Sequence, residues 1–467
     1  MNSEIKLPSL WEDIKSSISG TDQDFTKGKL GRAILLLSIP MVLEMSMESI
    51  FAVVDIFFVS RLGAAAVATV GITESIITII YAIGIGLAMG TTALVSRRVG
   101  EKDFKSAAIS GVQAIFVALL VSLPIAIIGF FFSKDLLQLM GAETAIVEDL
   151  YGYTSIMITG NIVIMMLFVI NAVFRGAGDA AISMRVLWLA NGLNIVLDPL
   201  LIFGIGFFPE FGIKGAAMAT VTGRGVAVIY QFYLLGSGKH RINISLSQLK
   251  LQWHVMKNLI RVSLGGISQF IIATSSWIGL VRILTEFGSI TVAGYTIAIR
   301  IFIFSILPSW GMSNAAATLV GQNLGAGKPD RAEKSVWATA FVNMAFLAVV
   351  GIILYLNAEF LISLFTSDSE IIRIGAQSLQ ILSYGYLAYA FGMIIIQAFN
   401  GAGDTMTPTV INFICFWLVE IPLAYFLALE LGFKQDGVFY AIVVSETLLA
   451  ILGYLVFRRG KWKKTNV

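Results

Sequence analysis

Apolar runs that are long enough to cross a lipid bilayer fill nearly the whole chain. A membrane-spanning helix needs about 20 predominantly apolar residues, and 57% of the 467 residues are apolar whereas only 13% are charged. We count about twelve such runs, and a segment at that depth satisfies its own backbone hydrogen bonds when it is helical. The sequence therefore predicts an all-α integral membrane protein and excludes a soluble globular domain.

Basic residues are concentrated in every second connector between these runs. The connectors concerned carry Arg97, Arg98, Lys102, Lys105, Arg175, Lys239, Arg241, Lys250, Lys328, Arg331 and Lys334, and both ends of the chain are also basic. The remaining connectors are acidic or mixed. Because short cytoplasmic loops are enriched in Lys and Arg, we expect both termini to be cytoplasmic and the protein to span the inner (plasma) membrane several times.

Two halves of the chain repeat at a constant offset of 225 residues. RGAGD at Arg175 matches NGAGD at Asn400, and LVSRRVG at Leu94 matches LVGQNLG at Leu319. This predicts two pseudo-symmetric six-helix lobes in parallel orientation, an arrangement found in secondary transporters that bind their substrate between the halves. The predicted units are an N-terminal segment (1–30), an N-lobe (31–236), a connector (237–255), a C-lobe (256–458) and a basic tail (459–467).

The first apolar run, SIPMVLEMSMESIFAVVDIFFVSRLG, contains three carboxylates, Glu44, Glu48 and Asp55. Their spacing places them within roughly 40° of one another around a helix. Because a charge at bilayer depth costs several kcal/mol, this stripe should face a wet cavity or a partner. Two alternatives stay open. Glu44 could lie at the level of the lipid headgroups, and the Asp55 side chain could extend out of the membrane at the far end of the helix. Pro40 provides a point at which this helix can bend.

A second polar stripe lies in the fifth run, where Asn191, Asn194 and Asp198 are three and four residues apart. Such steps share one helix face, and a buried carboxyl with neighbouring amides can hold a proton or a sodium ion. The amides could instead join packed helices. The positions 225 residues beyond Asp55 and Asp198 are leucines, Leu280 and Leu423. We therefore predict an asymmetric protein in which the N-lobe holds the clearest ion-coupling site.

The second half offers fewer charged groups at depth. Its candidates for substrate contact are Gln269, Tyr295, Asn314, Tyr389 and Glu420. Glu420 could be a second titrating group, a contact for a cationic substrate, or an ion-pair partner of Arg300.

Several classes of function are disfavoured. The single cysteine, Cys415, excludes intrachain disulfides and multi-cysteine metal sites. The two histidines, His240 and His254, lie in one polar connector, where solvated loop residues are expected rather than a metal pair. The glycine-rich turns lack the spacing of a nucleotide-binding loop. We therefore expect neither an enzyme, nor ATP-driven transport on this chain, nor nucleic-acid binding.

Together, IPMVLE…VVDIFFVSRLG, LVSRRVGEKD with LVGQNLGAGK, the RGAGD and NGAGD pair, and NIVLDP resemble the multidrug and toxic compound extrusion (MATE) transporters. The resemblance extends from about Gly31 to about Arg458. It implies a V-shaped bundle of two six-helix lobes that exports cationic or amphipathic organic compounds in exchange for protons or sodium. No cofactor is implied beyond H⁺ or Na⁺, and we expect a monomer.

The resemblance also assigns residues. It implies a cation site at Asp55, Asn194 and Asp198, which could take Na⁺ or H⁺, with Tyr153 and Thr220 as neighbours, Glu48 as a third titrating group and Pro40 as the bend of the first helix. The stretch from Gln269 to Ala273 and the region of Tyr389 lack the acids of the sodium-coupled branch. The alternative, a lipid-linked saccharide flippase of the same broad architecture, requires a strongly basic central cavity.

Overall fold

The computed structural model describes residues 10–20 and 23–465. It is 86% helical, and the described residues contain no β-strand. The first eight helices are α1 Leu10–Ser19, α2 Leu30–Ser60, α3 Ala64–Gly100, α4 Phe104–Leu139, α5 Thr144–Thr159, α6 Asn161–Ala177, α7 Ala180–Phe203 and α8 Ile213–Gly236. The others are α9 Trp253–Leu284, α10 Ser289–Gly325, α11 Pro329–Leu356, α12 Ala358–Ser363, α13 Ser369–Tyr384, α14 Tyr386–Ala402, α15 Met406–Asn412, α16 Ile421–Tyr425 and α17 Gln435–Arg458.

The number of spans agrees with the prediction. Among the described residues, nine helical segments are long and apolar enough to cross a membrane, and the pair α13 and α14, bent by 56°, forms a tenth. In this count α5 and α6 share one span, and α15 and α16 are joined by π-helical turns at Phe413–Glu420. The helices α2 and α8, of 31 and 24 residues, are also long enough but carry charged side chains at depth. Counting these two helices as spans gives twelve among the described residues, the number that the sequence predicts.

The two halves of the chain build separate hydrophobic cores. One core is formed mainly by α3 to α8 and the other by α9 to α17. Equivalent contacts recur at the offset of the sequence repeat: Glu44 pairs with Arg175 at 2.9 Å, and the corresponding Gln269 donates to Asn400 at 3.0 Å. The turns after α6 and α14 also match, because both end on a left-handed glycine, Gly178 and Gly403, with φ of 90° and 85°.

The halves meet on the face that carries the basic connectors, which we call the basic face. Gln322 of the second half donates to the carbonyl of Gly176 at 2.9 Å, and Arg97 of the first half donates to that of Ala402 at 3.4 Å. Each half thus contacts the glycine-rich turn of the other. Near the opposite face, Glu74 of α3 and Arg300 of α10 are both exposed and form no ion pair with each other in the described chain. The interface is therefore closed on the basic face.

Residues 23–28 connect the two halves across the basic face, and we call them the N-terminal strap. Phe25 of the strap is fully buried and packs with α2, Ala180 of α7 and Leu319 of α10. Arg331 of α11 donates to three strap carbonyls, those of Phe25 at 3.3 Å, Lys27 at 2.9 Å and Gly28 at 3.0 Å. These contacts hold the second half to the strap.

Contacts with the first half fix the other side of the strap. Asp24 pairs with Lys102 at 2.8 Å, and Arg241 donates to the carbonyl of Gln23 at 2.5 Å. Partial burial alone would raise the pKa of Asp24, but hydrogen bonds from Lys102 and Thr26 outweigh it and hold that pKa well below its usual range. The Asp24 contribution to stability is therefore present above the ordinary aspartate pKa and is lost only as the pH falls through the lowered value.

Arg331→Ala should loosen the closed basic face, because it removes three hydrogen bonds donated by a charged group, each worth about 1.5–3 kcal/mol. Ser96 is a buried position at the interface, so Ser96→Cys in a Cys415→Ala background reports on its opening. We expect a thiol reagent to label this cysteine about tenfold faster when Arg331→Ala is added. Arg373→Ala is the matched control because Arg373 pairs with Glu370 on an exposed surface. Equal labelling rates for Arg331→Ala and the control would contradict a bridging role of the strap.

Candidate ion-coupling and substrate sites

The polar stripe of α7 is buried, as its spacing predicts. Asn191, Asn194 and Asp198 are 1%, 2% and 0% exposed. Pro199 follows inside the same helix and has no backbone N–H to donate. The fifth span therefore presents one polar face to its neighbours, and the cluster described next is built on that face.

Asn194 links Asp198 to α8. With the Asn194 amide assigned from its surroundings, its nitrogen donates to Oδ2 of Asp198 at 2.8 Å, and its oxygen accepts from the hydroxyl and the backbone N–H of Thr220, both at 2.9 Å. The other carboxyl oxygen of Asp198, Oδ1, is buried without a hydrogen-bond partner in the described chain. A buried oxygen without a donor is available to a proton or a cation.

Asp55 of α2 lies within electrostatic range of Asp198. Asp55 is partly buried, and the described residues supply it with neither a hydrogen bond nor an ion pair. Tyr153 of α5 is 4% exposed and lies within electrostatic range of both carboxyls. The structure thus joins Asn194, Asp198 and Thr220 by hydrogen bonds and places Tyr153 and the partly buried Asp55 within electrostatic range of Asp198. We call these five predicted residues the N-half acid cluster.

Glu48 occupies a different environment from that cluster. Its carboxylate lies 3.5 Å from the guanidinium of Arg224 on α8 and accepts from Asn191 at 2.9 Å. Arg224 is 4% exposed, donates to Tyr81 at 3.3 Å and also lies within electrostatic range of Asp55. Its position between Glu48 and Asp55 appears only in the structure, because α2 and α8 are far apart along the chain.

Glu44 is fully inside the protein rather than at headgroup level. It is 1% exposed, and its Oε1 accepts from Arg175 at 2.9 Å and from Asn171 at 3.5 Å. Gln231 of α8 donates to Asn171 at 2.8 Å and extends this network. Glu44 therefore belongs to a buried ion pair between α2 and α6.

Pro40 is buried within α2, which continues through it from Leu30 to Ser60. Because proline has no N–H, the carbonyl of Leu36 lacks its usual helical donor at this point. Bending of α2 at Pro40 stays a prediction.

In the second half a chain of amides joins three helices. Gln269 of α9 donates to Asn400 at 3.0 Å, Asn400 donates to Gln397 at 2.8 Å, and Gln397 donates to Asn314 of α10 at 2.8 Å. Two of these four residues, Gln269 and Asn314, are among the predicted candidates. The chain is uncharged, so this position of the second half differs chemically from the Glu44–Arg175 pair to which it corresponds.

A cavity of about 360 Å³ opens beside this amide chain, and we call it the C-half cavity. Its walls come from α9, α10, α14, α17 and the π-helical turn, with Met89 of α3 at one edge. They present many aromatic rings, those of Phe270, Trp277, Trp310, Tyr389 and Phe416. Glu446 of α17 is the only charged side chain among the described residues that line it. Its size and apolar character suit a small organic ligand.

The remaining predicted residues of the second half lie outside that wall. Tyr295 stacks on Phe439 with ring centroids 6.0 Å apart. Glu420 is 2% exposed, lies near the hydroxyls of Ser276 and Ser445, and forms no ion pair with Arg300 in the described chain. The pairing of Glu420 with Arg300 that the sequence left open is therefore not observed.

The described residues contain no group of three or more His, Cys, Asp or Glu side chains placed to hold a metal ion. The donors at the N-half acid cluster are carboxylate, amide and hydroxyl oxygens, which suit a hard monovalent cation or a proton.

A repeated bundle of twelve spans with a buried acid cluster in one half and an aromatic cavity in the other defines a multi-pass membrane transporter. The family model MatE matches residues 40–200 and 267–426, one segment in each half. The chain therefore belongs to the MATE family of multidrug and toxic compound extrusion transporters and is not an enzyme.

Named relatives agree with this assignment. The chain is 26% identical over 439 residues to the "Probable multidrug resistance protein NorM" of Thermotoga maritima, and the match covers 94% of both chains. It is 26% identical to the "FAD transporter" of Shewanella oneidensis, covering 92% of this chain and 95% of that one. It is 21% identical to "Multidrug export protein MepA" of Staphylococcus aureus, covering 92% and 94%.

Solved structures share the fold. The crystal structure described as "Outward-facing conformation of a multidrug resistance MATE family transporter of the MOP superfamily" aligns with a TM-score of 0.88 and 27% identity, covering 94% of this chain and 98% of that chain. A MOP superfamily transporter from Pyrococcus furiosus aligns with the same TM-score and identity, covering 95% and 98%. The predicted family and fold class are confirmed.

Proposed function

We propose that this chain exports cationic or amphipathic organic compounds in exchange for H⁺ or Na⁺ by alternating access. The observation that carries the proposal is the N-half acid cluster, in which Asp198 is buried with one carboxyl oxygen unpartnered and Asp55 lies within electrostatic range of it. Two carboxyls within electrostatic range of each other influence each other's protonation, and such a pair favours binding of a proton or a cation.

The exchange cycle follows from where the charges lie. Entry of the ion into the N-half acid cluster removes the repulsion between Asp55 and Asp198 and lets α2 move about Pro40. To drive the halves from one state to the other, the ion must bind one state several kcal/mol more tightly than the other. Residues Glu48 and Arg224 adjoin this cluster and balance each other's charge.

The C-half cavity is the proposed cargo site. Its aromatic walls and the single acid Glu446 favour an organic cation with an apolar body. No basic side chain is found among the described residues that line it, which supports neither a phosphate-bearing saccharide lipid nor a flavin dinucleotide as cargo. We accordingly rank the flippase alternative below drug export.

The same proposal places the basic face in the cytoplasm and the bundle in the inner (plasma) membrane as a monomer. Support comes from the connectors of the basic face, where Lys102, Lys239, Lys328 and Lys463 lie. Positive charge near the ends of spans favours retention on the cytoplasmic side.

Glu446→Gln is expected to weaken transport of cationic dyes while sparing neutral ones, because it removes the only charge among the described residues that line the cavity. The apparent KM for a cationic dye should rise about tenfold, as for the loss of one buried charge contact. Glu430→Gln is the matched control because Glu430 is an exposed glutamate shortly before α17, the helix that carries Glu446. Equal losses for cationic and neutral dyes would contradict a charge-recognition role for Glu446.

A further inference from the structure

A second cavity, of about 130 Å³, lies on the basic face where α3, α4 and the start of α9 converge. Its polar lining consists of Arg98, Ser106, Ser110, Gln252, His254 and Asn258. We propose that this cavity binds a phosphate group and that the phosphate belongs to the headgroup of an anionic phospholipid. The site is separate from both the N-half acid cluster and the C-half cavity.

The geometry of the cavity is fixed by one buried side chain. Gln113 of α4 is 0% exposed, donates to the carbonyl of Lys250 at 2.9 Å and accepts from the N–H of Gln252 at 2.9 Å. This clamp holds the end of the connector, and therefore the first turn of α9, against α4. In the first turn of α9 the N–H groups of Val255 and Met256 donate to the carbonyl of Gln252 at 3.0 and 3.1 Å, and the start of a helix favours anions through its dipole.

Charge around the cavity favours an anion. Arg98 lines the wall while its Nη1 pairs with Glu101 at 2.8 Å. Three further basic side chains near the lining residues in the sequence are exposed. They are Lys105 at the start of α4 and Lys257 and Arg261 along α9. The acid Asp103 is engaged in capping α4 through the N–H of Ser106 at 2.9 Å. The cations outnumber the acids, and basic pockets between membrane helices are suited to lipid headgroups.

The surroundings favour a lipid over a free ion. Phe104, Leu251 and Trp253 are 41%, 68% and 71% exposed beside the cavity, and tryptophan is enriched where a membrane meets water. The cavity is smaller than the roughly 300–1,000 Å³ typical of sites for whole organic ligands. It therefore admits the phosphate while acyl chains lie along the outer helix surface. Since α4 belongs to the first half and α9 to the second, a bound lipid contacts both halves.

The test is intact-protein mass spectrometry of the full chain released from detergent with added phosphatidylglycerol or phosphatidylcholine. We expect wild type to retain one phosphatidylglycerol in preference to phosphatidylcholine. Arg98→Gln/His254→Gln should bind phosphatidylglycerol about tenfold more weakly, as for the loss of hydrogen bonds to a charged group. Arg459→Gln, an exposed basic residue at the end of α17 that does not line the cavity, should behave as wild type.

Equal retention of the two lipids by wild type, or unchanged binding in the double variant, would overturn the proposal. Inorganic phosphate is added alone in a further arm. Protection of wild type from thermal unfolding by phosphate, absent in the double variant and without any lipid preference, would identify free phosphate as the ligand and reject the lipid. If the double variant does not elute as a single species in size-exclusion chromatography, Asn258→Leu supplies the test, since it removes a polar contact without changing charge.

Discussion

Asparagine at Asp198 or at Asp55 is expected to abolish ion-driven efflux while the protein still folds. Either substitution removes one of the two carboxyls of the N-half acid cluster. An asparagine at position 198 can still accept the hydrogen bond that Asn194 donates at 2.8 Å. Without a carboxyl that changes charge, the ion no longer favours one state of the halves, and the driven rate should fall about a hundredfold or more.

The measurement is drug resistance in cells together with dye efflux by the purified variants. Asp149→Asn serves as the control because Asp149 is exposed on the surface of α5. Wild-type resistance in cells that express Asp55→Asn or Asp198→Asn would refute the assigned role. A lower amount of the variant in the membrane fraction would instead indicate misfolding, so the amounts of wild type and variants in that fraction are compared first.

Glu44→Gln is expected to destabilise the fold more than any other single carboxyl substitution discussed above. The side chains of Glu44 and Arg175 are 2% and 10% exposed, so the variant leaves a buried cation without its partner. Breaking one side of a buried ion pair costs about 3–5 kcal/mol. The drop in thermal stability in detergent measures the effect.

A rescue variant follows from the repeat. Glu44→Gln/Arg175→Asn reproduces the amide pair that Gln269 and Asn400 form at the same place in the second half. It removes both charges, so we expect it to recover most of the lost stability. Glu148→Gln, which breaks the exposed pair with Lys134, should leave the thermal stability close to that of wild type because solvent screens such pairs. A double variant as unstable as Glu44→Gln would show that the charge imbalance is not the cause.

Local patterns of the sequence predicted much of this molecule. The spacing of Asn191, Asn194 and Asp198 indicated one helix face, and all three are buried together. The offset of 225 residues indicated two equivalent halves, and the reciprocal contacts of Gln322 and Arg97 with the opposite glycine-rich turns follow it. Helical periodicity involves residues that are close along the chain, and a repeat appears as a constant offset. Both patterns can therefore be recognised in a single sequence.

Contacts between distant segments were not predictable in the same way. The partners of Glu44 and Glu48, which are Arg175 and Arg224, lie more than a hundred residues away along the chain. The C-half cavity depends on how five helical segments pack, and Glu446 acquires its place on the wall only through that packing. The strap at residues 23–28 carried too little hydrophobic pattern to indicate that it joins both halves.

The most direct measurement is dye efflux from proteoliposomes in which the pH gradient and the sodium gradient are imposed separately. Wild type should expel a cationic dye when at least one of these gradients is present, and Asp198→Asn should expel it under neither. Efflux by Asp198→Asn at the wild-type rate, or wild-type efflux that needs neither gradient, would contradict ion exchange at the buried carboxyls.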